Sequence, residues 1–409
     1  WHFPDSAPDG AVMDGAGFNL ASVNGFPRTH HLAELPATDQ TAPGVPEIMV
    51  SIPAVAPAFN YAAGYAGFFE QSSGWFGLGD SLTEDEGITG PATFTDQVFE
   101  TRGTMDIFSN PYVVWSEGSI NGKGIFVARF RDADWTGLAG SNTTSIAQVG
   151  GFFDNYHPAI SFTGADPVVA WTQRESTLER VKLLRYNTLA QSWQGLGDSD
   201  TEGIGFGRNP ALANFRNRDT FYVAFEDTIS REITVMEWKG GSFNDLGSPL
   251  DPWNIAAHAP FNERSEDSVP ALAGFSLAVD RTGRPGIAFR AESPQGSGQF
   301  HIFVSYHDRF TGEWEAVGDP LNTTGITNLP YTADGSFGHY NPTIAFGADN
   351  TPIVAWEFSD DPDDCPVVLL KRFDEPVAEV PLTVGQAVQR ILKIIEPGQL
   401  DDEIDANDD

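Results

Sequence analysis

Five short apolar runs recur along the chain, each opening on a proline or an aromatic residue and closing on a large aromatic one. They are Pro111-Tyr-Val-Val-Trp115, Pro167-Val-Val-Ala-Trp171, Phe221-Tyr-Val-Ala-Phe225, Pro285-Gly-Ile-Ala-Phe289 and Pro352-Ile-Val-Ala-Trp356. The closing aromatics lie 56, 54, 64 and 67 residues apart. Runs of this length, bounded by turn residues, predict strands. A companion strand precedes four of them: Pro158-Ala-Ile-Ser-Phe162, Pro210-Ala-Leu-Ala213, Phe275-Ser-Leu-Ala-Val279 and Pro342-Thr-Ile-Ala-Phe346. Turns such as Thr163-Gly-Ala-Asp166 and Asp280-Arg-Thr-Gly283 join the two. A third strand follows, as in Val181-Lys-Leu-Leu-Arg-Tyr186 and Val368-Leu-Leu-Lys-Arg-Phe373. The fourth opens on an aromatic and ends on small residues, as in Trp135-Thr-Gly-Leu-Ala139, Trp193-Gln-Gly-Leu-Gly197 and Trp314-Glu-Ala-Val-Gly318.

A unit of four short strands cannot bury both its faces alone, so successive units must stack. Four antiparallel strands per unit predict an all-β fold, a β-propeller of four-stranded blades. The earliest region fits the same template. Pro46 precedes Trp75 by 29 residues, as Pro285 precedes Trp314 by 29. Residues 46–50 are thus a second strand, Tyr65–Phe69 a third and His31–Leu35 a first. Six blades result, over residues 28–80, 100–140, 156–198, 208–248, 270–319 and 340–375; five and seven are the alternatives. The last blade lacks its fourth strand, which Phe18-Asn-Leu-Ala-Ser22 would supply, closing the ring and removing exposed sheet edges. Residues 1–375 form this propeller. In 376–409, apolar residues at 384, 388, 391, 392 and 395 predict a short helix that docks on the propeller or binds a protein partner, followed by an acidic tail.

These units resemble a repeat widespread in exported bacterial proteins, which runs Pro-x-Ile-Ala, Asp-x-x-Gly, Pro-x-Val-Ala-Trp, Val-x-Arg-Tyr and Trp-x-x-Leu-Gly. In outline it is similar to the propellers of sialidases and of several lectins. The resemblance covers about residues 18–375 and implies a blade scaffold without implying catalysis. The Ser-x-Asp-x-Gly-x-x-Trp box of sialidases is absent.

Charge narrows the partners. Asp and Glu number 57 against 23 Lys and Arg, a formal charge of −34. Such a surface repels nucleic acid and anionic membranes, and calcium is the one cofactor it would recruit. No stretch approaches the roughly 20 apolar residues that span a bilayer. The single cysteine, Cys365, excludes an internal disulfide, and its acidic loop would raise the thiol pKa, so a catalytic thiol is not expected. A chain that opens on Trp1 reads as processed and exported, secreted or held at the cell surface.

The tryptophans that recur in register predict packing between blades. Chemistry must come from positions where the copies differ. Residues just ahead of each inner strand ring the axial mouth: Arg28, His30 and His31; Arg102; Asn155, Tyr156 and His157; Arg208 and Asn209; His339, Tyr340 and Asn341. Long loops at 80–100, 248–270 and 319–338 wall the same face. Arginine holds carboxylate or sulfate bidentately, and tyrosine stacks on a sugar face, so an anionic or polyhydroxy ligand is expected, a glycan or other cell-surface component. The plainer reading is that His157 and Asn209, each directly before a proline, cap the start of a strand through backbone hydrogen bonds.

Two further functions compete with a binding module. A polysaccharide lyase or glycosidase would use a His or Tyr base with Arg neutralising a carboxylate. A structural surface or assembly subunit would use only the loops and tail. His30, His31, His157 and His339 show no metal-ligand spacing. The facing carboxylates of a hydrolase cannot be placed: Asp106, five residues before Pro111, is a turn residue, and Glu117, Asp227 and Glu357 only rim the second strands.

Overall fold

The computed structural model describes residues 31–34, 48–55, 62–70, 74–76, 78–79, 88, 97–106, 108, 110–119, 122–147, 153–215, 219–253, 274–292, 300–318, 325–327, 338–347, 350–359 and 367–373. The expected strand at Phe18–Ser22, the helix near 384–395, the acidic tail, Cys365 and most of the three long loops lie outside them.

The described chain is all-β and is built of antiparallel sheets taken in sequence order. The first holds β1 (His31–Glu34), β2 (Ile48–Val55), β3 (Ala62–Glu70) and β4 (Gly74–Phe76). The second holds β5 (Gln97–Met105), β6 (Pro111–Ser119), β7 (Gly122–Arg131) and β8 (Asp134–Gly137). The third holds β9 (Phe153–Thr163), β10 (Asp166–Glu175), β11 (Leu178–Asn187) and β12 (Ser192–Gly195). The fourth holds β13 (Gly207–Asn214), β14 (Thr220–Asp227), β15 (Ile233–Lys239) and β16 (Ser242–Asp245). The fifth holds β17 (Phe275–Val279), β18 (Pro285–Glu292), β19 (Phe300–Asp308) and β20 (Glu313–Ala316). The sixth has three described strands, β21 (Gly338–Phe346), β22 (Pro352–Ser359) and β23 (Val367–Arg372). Helix among the described residues is confined to short 3-10 turns at Leu138–Gly140 and Asp251–Trp253. No helix among them is long and apolar enough to cross a membrane.

Both faces of the interior sheets are covered, which is why the second strands are apolar throughout. Successive side chains on a strand point to opposite faces. In β10, Val169 and Trp171 pack with Tyr112, Val114 and Val127 of the second sheet. Val168 and Ala170 pack the other way, with Phe221 and Trp238 of the fourth. Similar cores join the fourth sheet to the fifth and the fifth to the sixth. The first strands of successive sheets lie side by side, β1 against β5, β5 against β9, β9 against β13, β13 against β17 and β17 against β21.

The tryptophans near the heads of β8, β12 and β20 each make a specific bond between sheets. Trp135 Nε1 donates to the Leu78 carbonyl (2.8 Å), Trp193 Nε1 to Leu138 (3.2 Å) and Trp314 Nε1 to Leu246 (2.8 Å). Each bond ties one sheet to the sheet before it. The fourth sheet carries Phe243 at this position and has no N–H to offer.

Asp106 is a turn residue, as its spacing predicts. Its carboxylate accepts the N–H groups of Phe108 and Asn110, each at 2.8 Å. Asp280 does the same for Thr282 and Arg284 in the fifth sheet.

Candidate functional site

The site begins with a defect in the inner strands. Pairing of β9 with β10 shifts register opposite Trp171, between the pairs Ala159–Ala170 and Tyr156–Thr172. The same shift separates Ala211–Ala224 from Arg208–Glu226 in the fourth sheet, and Thr343–Ala355 from Tyr340–Glu357 in the sixth. Proline has no N–H for the ladder, so Pro158 and Pro210 sit at these bulges. The residue before each takes a left-handed backbone, φ 52° at His157 and φ 55° at Asn209. A non-glycine residue held there costs of order 1 kcal/mol or more. Its N–H turns away from its own sheet and is taken up by the preceding one. His157 N–H donates to the Glu100 carboxylate, and Asn209 N–H donates to Thr172 Oγ1 at 3.0 Å.

Counting back two residues from the equivalent pairs Val114–Arg102, Ala170–Ala159 and Ala224–Ala211 puts Glu100, His157 and Asn209 at the same level of three neighbouring strands. This corrects the sequence alignment at Arg102. All these residues lie within the inner strands rather than ahead of them, and Arg102 stands level with Ala159 and Ala211, two residues further along its strand than His157 and Asn209. The second sheet lacks the proline that β9, β13 and β21 carry at Pro158, Pro210 and Pro342, which leaves its sequence without that marker. Its bulge falls between Val98 and Glu100 instead.

Tyr156, His157, Arg208 and Asn209 come together, and carboxylates join them. His157 Nδ1 stands 2.8 Å from Glu100, whose side chain is almost fully buried. Burial alone would raise the Glu100 pKa, but His157, Arg102 and Lys123 outweigh it and hold the carboxyl below its ordinary value. Burial lowers the Arg102 pKa, opposed by Glu100. The Tyr156 hydroxyl donates to Glu179, and its ring meets His157 edge-on at 4.8 Å. Burial, reinforced by Glu179, pushes the Tyr156 phenol well above its ordinary range. Arg174 lies over the same ring at 5.6 Å while bonding Asp154 at 3.0 Å, and Lys123 approaches it at 6.0 Å. Arg208 grips Glu226 with two parallel bonds of 2.9 Å, which raise its pKa further. Asn209 Nδ2 also reaches Glu226, at 3.3 Å. A side chain at Gly207 would meet Phe225 within 2.4 Å, so only glycine lets β13 approach closely enough to set Arg208 on Glu226.

Asn155 has a framework role: its amide donates to the Lys123 carbonyl and accepts from Trp171 Nε1. His31 begins β1, while His339 pairs with Phe358 and Tyr340 with Glu357 along β21. Arg28 and His30 lie outside the described residues. Glu100, Asp154, Glu179 and Glu226 were not candidates from sequence. Glu100 and Glu226 could have been found by pairing positions: each faces the residue next to the repeated aromatic or the bulge. Among the described residues, no three His, Cys, Asp or Glu side chains converge to hold a metal ion.

No family model matches the chain, and no curated protein matches it. Among solved structures it is similar to the α-L-arabinanase of Penicillium chrysogenum complexed with arabinobiose, at 10% identity over 85% of this chain and 94% of that one, TM-score 0.46. It is similar to the GH93 α-L-arabinofuranosidase of Fusarium graminearum, at 10% identity over 84% and 92%, TM-score 0.47. It is also similar to the Trypanosoma rangeli sialidase, at 8% identity over 90% of this chain but only 56% of that one, TM-score 0.45. Likeness at this level of identity assigns no activity to the chain.

Proposed function

We propose that the chain is an exported six-bladed propeller, closed by its N-terminal strand, that binds a carbohydrate ligand at the mouth of its inner strands. One observation carries this reading. Three neighbouring inner strands, two of them interrupted at the same level, bring Glu100, Tyr156, His157, Arg208 and Asn209 into one polar cluster above an apolar core. Fixed donors and acceptors of both kinds, held on strands rather than loops, suit a ligand rich in hydroxyl groups.

The lyase reading finds less support. A Tyr156 phenol pushed upward by burial and Glu179 stays protonated and is a poor base. Arg208, expected to neutralise a uronate, is already engaged by Glu226. A glycosidase reading is favoured by one specific observation, the carboxylates Glu100, Asp154, Glu179 and Glu226 in the cluster.

The test is a glycan array with the whole chain and its His157→Ala/Arg208→Ala variant, alongside assays for reducing ends and for unsaturated uronate. Selective binding that the variant loses, with its unfolding cooperative, is the expected result. Unchanged binding in the variant would remove the mouth from consideration, and release of reducing ends would make the site an enzyme.

A further inference from the structure

Among the described residues the charges in this cluster are matched in number, and that bears on the ligand's own charge. Four cations, Arg102, Lys123, Arg174 and Arg208, stand among four carboxylates, Glu100, Asp154, Glu179 and Glu226. Arg208 spends its two-pronged edge on Glu226, and Arg174 bonds Asp154. Arg102 and Lys123 both act on Glu100, and Glu179 acts on Arg208. Glu226 already neutralises Arg208, so a ligand carboxylate or sulfate at its remaining N–H groups meets no uncompensated charge, and one that took the gripped edge would leave Glu226, with 8% of its side chain exposed, without its cation. The whole chain, at −34, opposes the approach of an anion as well.

The rim points the same way. Register places the β10–β11 and β14–β15 turns at the end of the sheets where β9 and β13 begin: Glu175 pairs with both Phe153 and Leu178, and Asp227 pairs with Gly207. Leu178, next to Glu179, is 51% exposed, and Ile229, three residues after Glu226, is 73% exposed. Large apolar side chains are a poor border for a strongly hydrated anion and a good one for the C–H faces of a sugar.

We infer that the mouth takes an uncharged sugar chain, its hydroxyls bonding the carboxylate and guanidinium edges and its C–H faces resting on Leu178 and Ile229. This rests on the carbohydrate reading of the same site. The experiment titrates the whole chain calorimetrically with a β-glucan, a galactan and a mannan, and with carboxymethylated and sulfated derivatives of each. At least one neutral polymer is expected to bind, with affinity changing less than about twofold as salt rises from about 0.05 to 0.5 M. Its anionic derivatives should bind at least about tenfold more weakly, because the added charge finds no uncompensated cation and must otherwise break a buried ion pair. Leu178→Ser and Ile229→Ser, both at exposed positions, should each weaken the neutral polymer about fivefold. Tighter binding of an anionic derivative, or a loss of tenfold or more with salt, overturns the inference and leaves the carbohydrate reading standing. Binding of none of the polymers overturns the carbohydrate reading, and the inference with it.

Discussion

Thr172 makes a bond no other atom nearby replaces. Its hydroxyl accepts the buried N–H of Asn209, a group that the left-handed turn before Pro210 has taken out of the ladder of its own sheet. Valine has the same shape and no acceptor. Thr172→Val is therefore expected to cost about 1–3 kcal/mol, the price of leaving a buried donor unmade. Thr172→Ser should retain most of the stability, and denaturant unfolding of the two variants separates them. Pro158 and Pro210 are visible in the sequence and mark His157 and Asn209 as special. The acceptor was not visible, because Thr172 lies in a different unit, 37 residues away.

Between sheets, Trp135, Trp193 and Trp314 of the fourth strands act as stitches. Their register alone predicts packing, since a large aromatic repeated at one position of every unit must face the same kind of neighbour. Their second role depends on which carbonyl stands opposite. Leu78, Leu138 and Leu246, which receive the three N–H bonds, are 57, 55 and 68 residues away in sequence. Trp314→Phe preserves most of the apolar contact and deletes the bond to Leu246. A loss of about 1 kcal/mol is expected, read as a lower denaturation midpoint at unchanged m-value. If the midpoint does not move, the indole N–H contributes nothing beyond its ring.

The whole molecule carries its stability partly in buried charge. Glu100 joins the second sheet to the third through His157, and its folded pKa lies below the ordinary 4.5. A depressed carboxyl contributes stability that is present above the unfolded pKa and is lost as pH falls through the folded one. Thermal stability should thus decline as pH drops below about 4.5, the unfolded value. Glu100→Gln should flatten that decline while lowering stability near neutrality, because Arg102 then loses its counter-charge and the His157 backbone N–H a charged acceptor. Melting temperatures of both proteins across pH 3 to 7 decide it; parallel curves would deny Glu100 this role.

Strand spacing, the order of strands in each sheet and the framework role of the recurring tryptophans all follow from local pattern. Periodic burial leaves its mark on each unit separately, so it can be read along the chain. The carboxylates of the site left no such mark. Glu100, Glu179 and Glu226 are acidic residues in an acidic chain, and their residue type alone does not separate them from the solvated rest. Strand pairing sets Glu226 on Arg208 and folds Glu179 back to Tyr156 within their own sheets, and the side-by-side packing of β5 and β9 brings Glu100 to His157. Together these contacts turned an apparently basic mouth into one whose charges are paired. Pairing depends on distance in space, and for these residues spatial neighbours are up to 57 positions apart in sequence.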